Sequence, residues 1–267
     1  MLSYGRFLLT LLMLLTDTHT HLYYETDEEK QALLMQRCFE NKVERLFLPN
    51  VDIASIAQID DMVSKYPKNC FAMAGLHPCD VKEDYELILD EICGSIADRQ
   101  VYAIGEIGID LHWDKTTLGL QRAAFKEQIN WAKDLELPIV IHCREAFDEI
   151  FEVLDQEKDE KLRGIFHCFT GDLQQANHAI ELGFYLGVGG VVTYKNSGLA
   201  EVLKAVDLKH IVLETDSPYL APAPFRGKPN ESSYLLHIAE KVAEVYEVSI
   251  EDVARVTTAN SIDVFKV

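Results

Sequence analysis

Five short apolar runs in this sequence each end in residues that can bind a metal ion, and the runs are rich in residues that favour β-strands. Four of the nine histidines and two carboxylates occupy these run-ending positions, namely His19, His21, Glu106, His142, His167 and Asp216. Parallel barrels build their active sites at the C-terminal ends of their strands, so these side chains would meet at one end of such a barrel. The chemistry that this arrangement indicates is hydrolysis by metal-activated water.

The spacing of these residues predicts two divalent cations. His19 and His21 project to the same side of an extended segment, so both imidazoles can bind one cation. Asp216 ends the last predicted strand, which neighbours the first strand in a closed barrel, and can reach the same cation. His142 and His167 come from adjacent strands and can share the second. Nitrogen and oxygen ligands without thiolate suit zinc, manganese, iron or magnesium, and the sequence does not distinguish among them.

Both carboxylates, Glu106 and Asp216, are also predicted to be catalytic. Glu106 lies in the segment 105–110, whose glycines let the backbone turn tightly away from the strand end. A buried carboxylate at this place needs a positive partner, and a metal ion supplies one. Asp216 is placed to accept the proton of the attacking water while it contacts a cation.

Apolar runs alternate with amphipathic helical patterns along the whole chain, which predicts an α/β fold of repeated βα units. The predicted strands are 13–19, 43–49, 70–75, 101–107, 138–142, 163–167, 184–189 and 210–215. The predicted helices are 27–40, 53–65, 84–98, 117–136, 145–158, 172–182, 198–206, 231–247 and 249–262. Eight strands favour a single-domain (β/α)8 TIM barrel over residues 13–267. An open, doubly wound sheet is the alternative, but only a closed sheet lets the metal-binding residues converge.

The first residues superficially resemble a short signal sequence, with Arg6 before the apolar stretch 7–15. No cleavage site follows this stretch, and it is too short to span a bilayer as a helix. We therefore expect residues 1–12 to form an N-terminal extension of uncertain role, and we expect no association with membranes.

The composition limits the partners and the compartment. A formal net charge of −19 over 267 residues argues against a broad basic surface that grips nucleic acid through many phosphates. The six cysteines form no CxxC pair, which favours reduced thiols in a cytoplasmic protein. Cys143 and Cys168 each follow a predicted ligand, so alternation along a strand predicts that both face the outer helices.

The chain resembles the TatD family of metal-dependent deoxyribonucleases, which belongs to the amidohydrolase-like barrels. The matching residues are DTHTHL at 17–22, GLHP at 75–78, GEIGID at 105–110, Gln121 with Phe125, PIVIHCR at 138–144, HCFTG at 167–171, ETDSPYLAP at 214–222 and RGKPNE at 226–231. The resemblance implies a TIM barrel with one or two metals that hydrolyses phosphodiester bonds of DNA, often from the 3′ end. It also implies that the same six residues bind metal and that Glu106 bridges. The chain departs from the family at Ser232, where proline is usual, and over 111–115.

Several residues outside the ligand set are expected to act on the substrate. His77 is predicted to be catalytic by donating a hydrogen bond to a phosphate oxygen or to the leaving group, although it could simply cap the turn before Pro78. The predicted substrate contacts are Arg144, Arg226, Tyr219 and His112. Alternatives remain open: Arg144 could pair with a carboxylate, Arg226 could keep its loop solvated, and Tyr219 could pack within the proline-rich loop.

Three functions compete at this stage. The leading hypothesis is a deoxyribonuclease, a 3′–5′ exonuclease whose partner is the short or single-stranded end of DNA. The second is a small-molecule hydrolase that cleaves an amide, a lactone or a phosphate ester, because fold does not fix substrate. The third is a non-catalytic metal-binding protein, which the complete ligand set disfavours. The oligomeric state is open, with a monomer expected.

Overall fold

Eight strands and nine α-helices make up residues 13–267, the part of the chain that the computed structural model describes. The strands are β1 (Leu15–Asp17), β2 (Val43–Leu48), β3 (Cys70–Ala72), β4 (Ile104–Asp110), β5 (Ile139–Arg144), β6 (Gly164–Phe166), β7 (Phe184–Val188) and β8 (Ile211–Leu213). The helices are α1 (Glu28–Glu40), α2 (Ile53–Lys65), α3 (Tyr85–Ile96), α4 (Leu118–Leu135), α5 (Phe147–Glu157), α6 (Leu173–Glu181), α7 (Leu199–Lys204), α8 (Leu235–Tyr246) and α9 (Ile250–Phe265). All eight predicted strands are present; β4 starts and ends three residues later than predicted, at 104 and 110 rather than 101 and 107.

The strands pair in parallel and close into a barrel. β1 to β3 form one ladder and β4 to β8 form another. A bridge between Ala74 and Ile104 joins the ladders at one seam. At the other seam the Thr18 N–H donates to the Leu213 carbonyl at 3.0 Å, so β8 lies beside β1. The architecture is therefore the predicted (β/α)8 TIM barrel, and the open-sheet alternative is wrong.

Local sequence explains where several helices begin. Asp52 accepts the N–H of Ser55 at the start of α2, and the Ser55 side chain bonds back to the Asp52 backbone, which makes a capping box. Asp172 caps α6 in the same way, and Ser249 accepts the N–H of Asp252 at the start of α9. Asp172 and Ser249 are also the first residues of the helices predicted at 172–182 and 249–262.

A small apolar cluster fills the barrel interior at the end opposite the predicted site. It contains Phe47, Phe71, Val140, Ile165, Val212 and Phe265, among others. The last of these comes from the end of α9 rather than from a strand, and its ring stacks on Phe47 with centroids 3.8 Å apart. Val140 and Ile165 each precede a predicted ligand by two positions, and Val212 precedes Asp216 by four, so this cluster forms the floor beneath the site.

Two sequence expectations concern the N-terminal extension and association with membranes. Over the residues that the structure describes, no helix has both the length and the apolar character needed to cross a bilayer. The predicted extension, residues 1–12, lies outside the described residues, so the domain boundary at residue 13 stays a prediction.

Removing the ring of Phe265 should destabilise the whole barrel, because this side chain is buried and stacked in its floor. We expect Phe265→Ala to lower the free energy of unfolding by about 3–5 kcal/mol in urea titrations. Ile262→Ala on the same helix is the matched control, since Ile262 is exposed and should cost less than about 0.5 kcal/mol. Equal losses in both variants would show that the floor does not depend on α9.

Candidate metal centre

A cavity of about 640 Å³ opens at the C-terminal ends of the strands. Five of the six predicted ligands line it, namely His21, Glu106, His142, His167 and Asp216. The sixth, His19, is fully buried behind them and stacks on the ring of His167 at 3.8 Å between centroids. The structure thus brings all six residues to one place, as the positions at strand ends predict.

The carboxylate of Glu106 lies at the centre of this cluster, and its two oxygens contact different imidazoles. Oε2 lies 3.1 Å from Nε2 of His19 and 3.7 Å from Nε2 of His21. Oε1 lies 2.7 Å from Nδ1 of His142 and 2.8 Å from Nε2 of His167. A carboxylate with this arrangement can bridge two cations, which agrees with the role that the family resemblance implies.

A bulge in β4 directs Glu106 into the barrel. The register with β5 shifts between Gly105 and Ile107, so Glu106 is an extra residue without a partner in the ladder. Its N–H donates to the carbonyl of Asn50 at 2.9 Å, which replaces the missing ladder bond. Gly108 then returns the strand to β5 with φ 140°, where a Cβ would lie 2.1 Å from the His142 carbonyl oxygen. Only glycine fits there.

Charge around Glu106 outweighs the cost of burying it. Burial alone would raise the pKa of this carboxyl, but His167, His77 and His19 lower it well below the usual value. Burial would conversely lower the pKa of His167, yet the neighbouring Glu106 raises it well above the usual value. The carboxylate is therefore ionised, and the imidazoles around it experience a strong negative potential.

Asp216 completes the side of the cluster that holds the first two histidines. Its Oδ1 lies 3.5 Å from Nε2 of His21 and 3.9 Å from Nε2 of His19. The backbone of Asp216 is left-handed, with φ 55°, and its N–H donates to the His19 carbonyl at 2.9 Å. Such a conformation is uncommon outside glycine but is best tolerated by Asp and Asn, and it is frequent at functional sites.

The donor set fits divalent cations. Potential ligand atoms fall into three groups in which all atoms lie within 4.8 Å of one another: His19, His21 and Glu106; His19, His167 and Asp216; and His77, Glu106 and His142. Nδ1 of His19 is buried and has no hydrogen-bond partner among residues 13–267. So many neighbouring imidazoles cannot all be protonated, because like charges at these distances repel. Neutral rings beside two carboxylates are instead a typical site for zinc, manganese or iron.

A hydrogen-bond chain determines the tautomer of His21. The hydroxyl of Tyr23 donates to the Pro49 carbonyl at 2.6 Å, so it must accept from Nδ1–H of His21, which lies 2.9 Å away. The proton of the neutral ring is thereby placed on Nδ1, and the lone pair of Nε2 faces Glu106 and Asp216. Partners of this kind orient metal-binding histidines and raise their basicity.

His142 and His77 have opposite tautomers, although their rings touch. Nε2 of His142 lies 2.9 Å from the Asp110 carboxylate, so it carries the proton and leaves the lone pair of Nδ1 available to a cation. Nδ1 of His77 accepts the Cys79 N–H at 3.1 Å, so its proton lies on Nε2, 3.3 Å from Glu106. His77 therefore caps the turn before Pro78, which was the structural alternative for this residue. It also presents an N–H to the cavity.

Glu214 is a further buried carboxylate beneath the site. Its Oε1 accepts the Cys168 N–H at 2.6 Å and lies 3.5 Å from Nδ1 of His167. A Cβ on Gly187 would come within 2.4 Å of the other carboxylate oxygen, so a side chain at that position would displace the carboxylate. Glu214 thus supports the strand end that carries His167.

Two of the four predicted substrate contacts line the cavity and two do not. Arg144 and Tyr219 lie in its wall. Arg226 instead packs over the ring of Tyr194, 4.5 Å from its centroid. His112 pairs with Glu145 at 2.7 Å. Side-chain direction in irregular loops is not encoded by spacing, and the substrate roles of Arg226 and His112 stay predictions.

Other sequence expectations have mixed outcomes. Cys143 and Cys168 both border the cavity, so the prediction that they face only the outer helices is wrong. Burial raises the pKa of Cys143 to about 12, which keeps this thiol protonated.

The departure from the family at Ser232 has a local explanation. Its hydroxyl hydrogen-bonds to the Thr20 hydroxyl at 2.9 Å in a buried network, and a proline could not make this bond.

Sequence reasoning missed Tyr23, Asp110 and Glu214 as supporting residues. Asp110 had a signal, since it follows Glu106 by four positions on one strand and alternation places both on the same face. Tyr23 lies in a short 3-10 turn (Leu22–Tyr24), whose geometry spacing does not reveal. Glu214 was part of a motif but was not assigned a role.

Removing the hydroxyl of Tyr23 should weaken metal binding, because the His21 ring would lose the partner that determines its tautomer. We expect Tyr23→Phe to raise the dissociation constant of one Mn²⁺ or Zn²⁺ by about 10- to 100-fold in calorimetric titrations. Tyr185→Phe is the control, because it also loses one hydroxyl hydrogen bond, to Asp263 at 2.8 Å, but near the floor. Identical affinities in wild type and Tyr23→Phe would contradict the tautomer assignment.

Known proteins resemble this chain over almost its full length. The family model described as TatD related DNase matches residues 16–266. The protein named uncharacterized metal-dependent hydrolase YabD of Bacillus subtilis is 39% identical over 258 residues, covering 95% of this chain and 100% of that protein. The 3′-5′ ssDNA/RNA exonuclease TatD of Salmonella typhimurium is 33% identical over 240 residues, covering 88% of this chain and 92% of the relative.

A solved structure agrees with the sequence relatives. The crystal structure of YJJV, a TatD homolog from Escherichia coli K12, superposes with a TM-score of 0.90 at 26% identity, covering 96% of this chain and 100% of the other. The barrel, the cluster of imidazoles and carboxylates, and the similarity to these relatives all indicate the same family. The chain therefore belongs to the TatD related DNase family of metal-dependent hydrolases.

Proposed function

We propose that this protein is a metal-dependent phosphodiesterase that shortens DNA from the 3′ ends of single strands. The observation that carries the proposal is the division of the imidazoles between the two oxygens of Glu106, which suits a pair of bridged cations. Paired sites of this kind favour displacement at phosphorus, because they can stabilise the attacking and the leaving oxygen together. The name of the Salmonella relative, a 3′-5′ ssDNA/RNA exonuclease, supports this choice of substrate.

The proposed ligands are the six residues predicted from the sequence: His19, His21, Glu106, His142, His167 and Asp216. Divalent ions bound there would supply Lewis-acid stabilisation of the phosphoryl group and would lower the pKa of a water molecule. Asp216 accepts the proton of that water as the water oxygen bonds to phosphorus. Burial would raise the pKa of Asp216, but its contacts with His21 and other imidazoles lower it, so the carboxylate is ionised and ready to accept.

The leaving oxygen needs a proton once its bond to phosphorus breaks, and His77 is placed to supply one. Nδ1 of His77 accepts a backbone N–H, which places the proton of the neutral ring on Nε2. This makes His77 a donor to the leaving group or to a phosphate oxygen rather than a metal ligand. Arg144, which also lies in the cavity wall, can hold a non-bridging phosphate oxygen.

The acidity of the chain favours single-stranded ends over long duplexes. A net charge of −19 gives little long-range attraction for a polyanion, so binding must come from a few contacts within the cavity. A cytoplasmic location and a monomeric state stay predictions of the sequence.

Replacing Asp216 by asparagine should abolish turnover while the fold survives, because the amide keeps the shape of the carboxylate but cannot take the proton. We expect Asp216→Asn to slow the digestion of 5′-labelled single-stranded oligonucleotides by at least about 100-fold. Asp90→Asn, at an exposed position on α3, is the matched control and should leave the 3′-shortening ladder unchanged.

Chelation of metal should stop the same reaction, and Mn²⁺ or Zn²⁺ should restore it. A metal-loaded protein that leaves every oligonucleotide intact but turns over a lactone or a phosphotriester would replace this proposal with the small-molecule alternative.

Two touching histidines should respond differently to the same substitution. His77→Gln should lower kcat by about 100-fold or more with the metal content unchanged, because only a proton donor is lost. His142→Gln should lower the metal content itself, since its Nδ1 faces Glu106 at 2.7 Å. Metal analysis of both purified variants separates the roles, and loss of metal in His77→Gln would make His77 a ligand.

A further inference from the structure

Exposed apolar side chains gather at the mouth of the metal-site cavity. Ten large hydrophobic side chains are exposed in the described part of the chain, and four of them line this one cavity: Tyr24, Trp113, Tyr219 and Leu220. Trp113 is 73% exposed and Tyr219 is 51% exposed. Exposed apolar groups that cluster beside a polar site usually contact a ligand.

The aromatic members of this set lie on two sides of the cation site. Tyr219 follows β8 and Tyr24 follows β1, and these strands are neighbours, whereas Trp113 follows β4. In a closed barrel of eight strands, β4 and β8 lie across from each other. The tyrosines therefore face Trp113 over the cavity.

Each side also contacts a different half of the metal centre. The ring of Tyr24 stacks on His21 with centroids 5.1 Å apart, and Tyr219 meets the same imidazole edge-on at 5.9 Å. Trp113 donates its backbone N–H to Asp110 at 3.4 Å, the carboxylate that orients His142. A phosphate at the cations would thus have an aromatic surface on either side.

The ring of Trp113 is held in place before any ligand arrives. The guanidinium of Arg144 lies over it, 5.4 Å from the centroid. His112 meets it edge-on at 4.9 Å and is itself held by Glu145 at 2.7 Å. His112 is thereby assigned a positioning role in place of the substrate contact predicted from the sequence.

The cavity wall offers little charge for a polyanion. Among the described residues that line it, Arg144 is the single lysine or arginine, and the chain carries a net charge of −19. A run of phosphates beyond the scissile one would therefore find no basic track along this wall. Stacking of bases on aromatic rings is the remaining source of affinity, and it tolerates any base.

We propose that Trp113 on one side and the pair Tyr24 and Tyr219 on the other are two base-stacking subsites, so that the unit the cavity takes is a dinucleotide with one base on each side of the scissile phosphodiester. This inference rests on the proposed phosphodiesterase function and names its minimal substrate. A cavity of about 640 Å³ has the size of sites that enclose a molecule of this class. DNA and RNA share this chemistry.

Binding can be measured without turnover, because the chain has two tryptophans and Trp131 is buried. A base that stacks on Trp113 should quench most of the exposed fluorescence. We expect phosphorothioate-linked dithymidine to quench the metal-loaded protein and to bind about 5- to 100-fold more tightly than thymidine 5′-monophosphate, the gain that one more stacked base supplies. Phosphorothioate-linked diuridine, run in parallel, distinguishes DNA from RNA.

Variants assign the two subsites separately. Tyr219→Ala, followed by fluorescence, and Trp113→Ala, followed by calorimetry, should each reduce the affinity for the dinucleotide to that for the mononucleotide. Trp113→Phe and Tyr219→Phe should retain most of the affinity because a ring remains. Leu87→Ala is the matched control, since Leu87 is also 73% exposed but lies on α3 away from the cavity.

The outcomes separate this inference from the proposed function. Quenching and tight binding without cleavage of unmodified dithymidine would contradict the proposed phosphodiesterase function but support the two base-stacking subsites. Cleavage of dithymidine with equal affinities for mononucleotide and dinucleotide, or with both alanine variants unaffected, would overturn the subsites and keep the hydrolysis.

Discussion

The structure of this site depends on one desolvated carboxylate, that of Glu106. An ionised group in the barrel interior is costly unless opposite charge and hydrogen-bond donors surround it. The fold meets this requirement with imidazoles from four strands and with a bulge that directs the side chain inward. A metal centre and a stable barrel are therefore not separate features, because the same contacts neutralise Glu106 and arrange the ligands.

The residues behind the imidazoles decide which nitrogen of each ring is available. Tyr23 and Asp110 accept hydrogen bonds from N–H groups of His21 and His142, so the lone pairs of the opposite nitrogens face the cluster. The backbone N–H of Cys79 instead donates to Nδ1 of His77, so that the N–H of Nε2 faces the cluster. Chemically identical side chains thus present either a lone pair or an N–H to the cluster, according to the hydrogen bonds on the far side of the ring.

The sequence predicts the parts of this protein that follow from periodic patterns of apolar residues, and not the parts that depend on loop geometry. All eight strands and the convergence of the six candidate ligands could be predicted, because apolar runs define strands and parallel strands end at one face. Arg226 and Tyr23 could not be placed in this way. Arg226 lies in a proline-rich loop and packs on Tyr194, and Tyr23 reaches Pro49 from a tight turn. Such directions follow from tertiary contacts, which no local pattern encodes.

The stacked pair of Phe47 and Phe265 has a consequence for how the barrel forms during synthesis. These rings touch across a very long stretch of sequence, so the loop-closure entropy of this contact is high and high contact order slows folding. A ribosome delivers β2 long before α9, and the barrel floor must stay open to water until the last helix emerges. Chaperones that shield apolar surface would have their greatest effect in that interval.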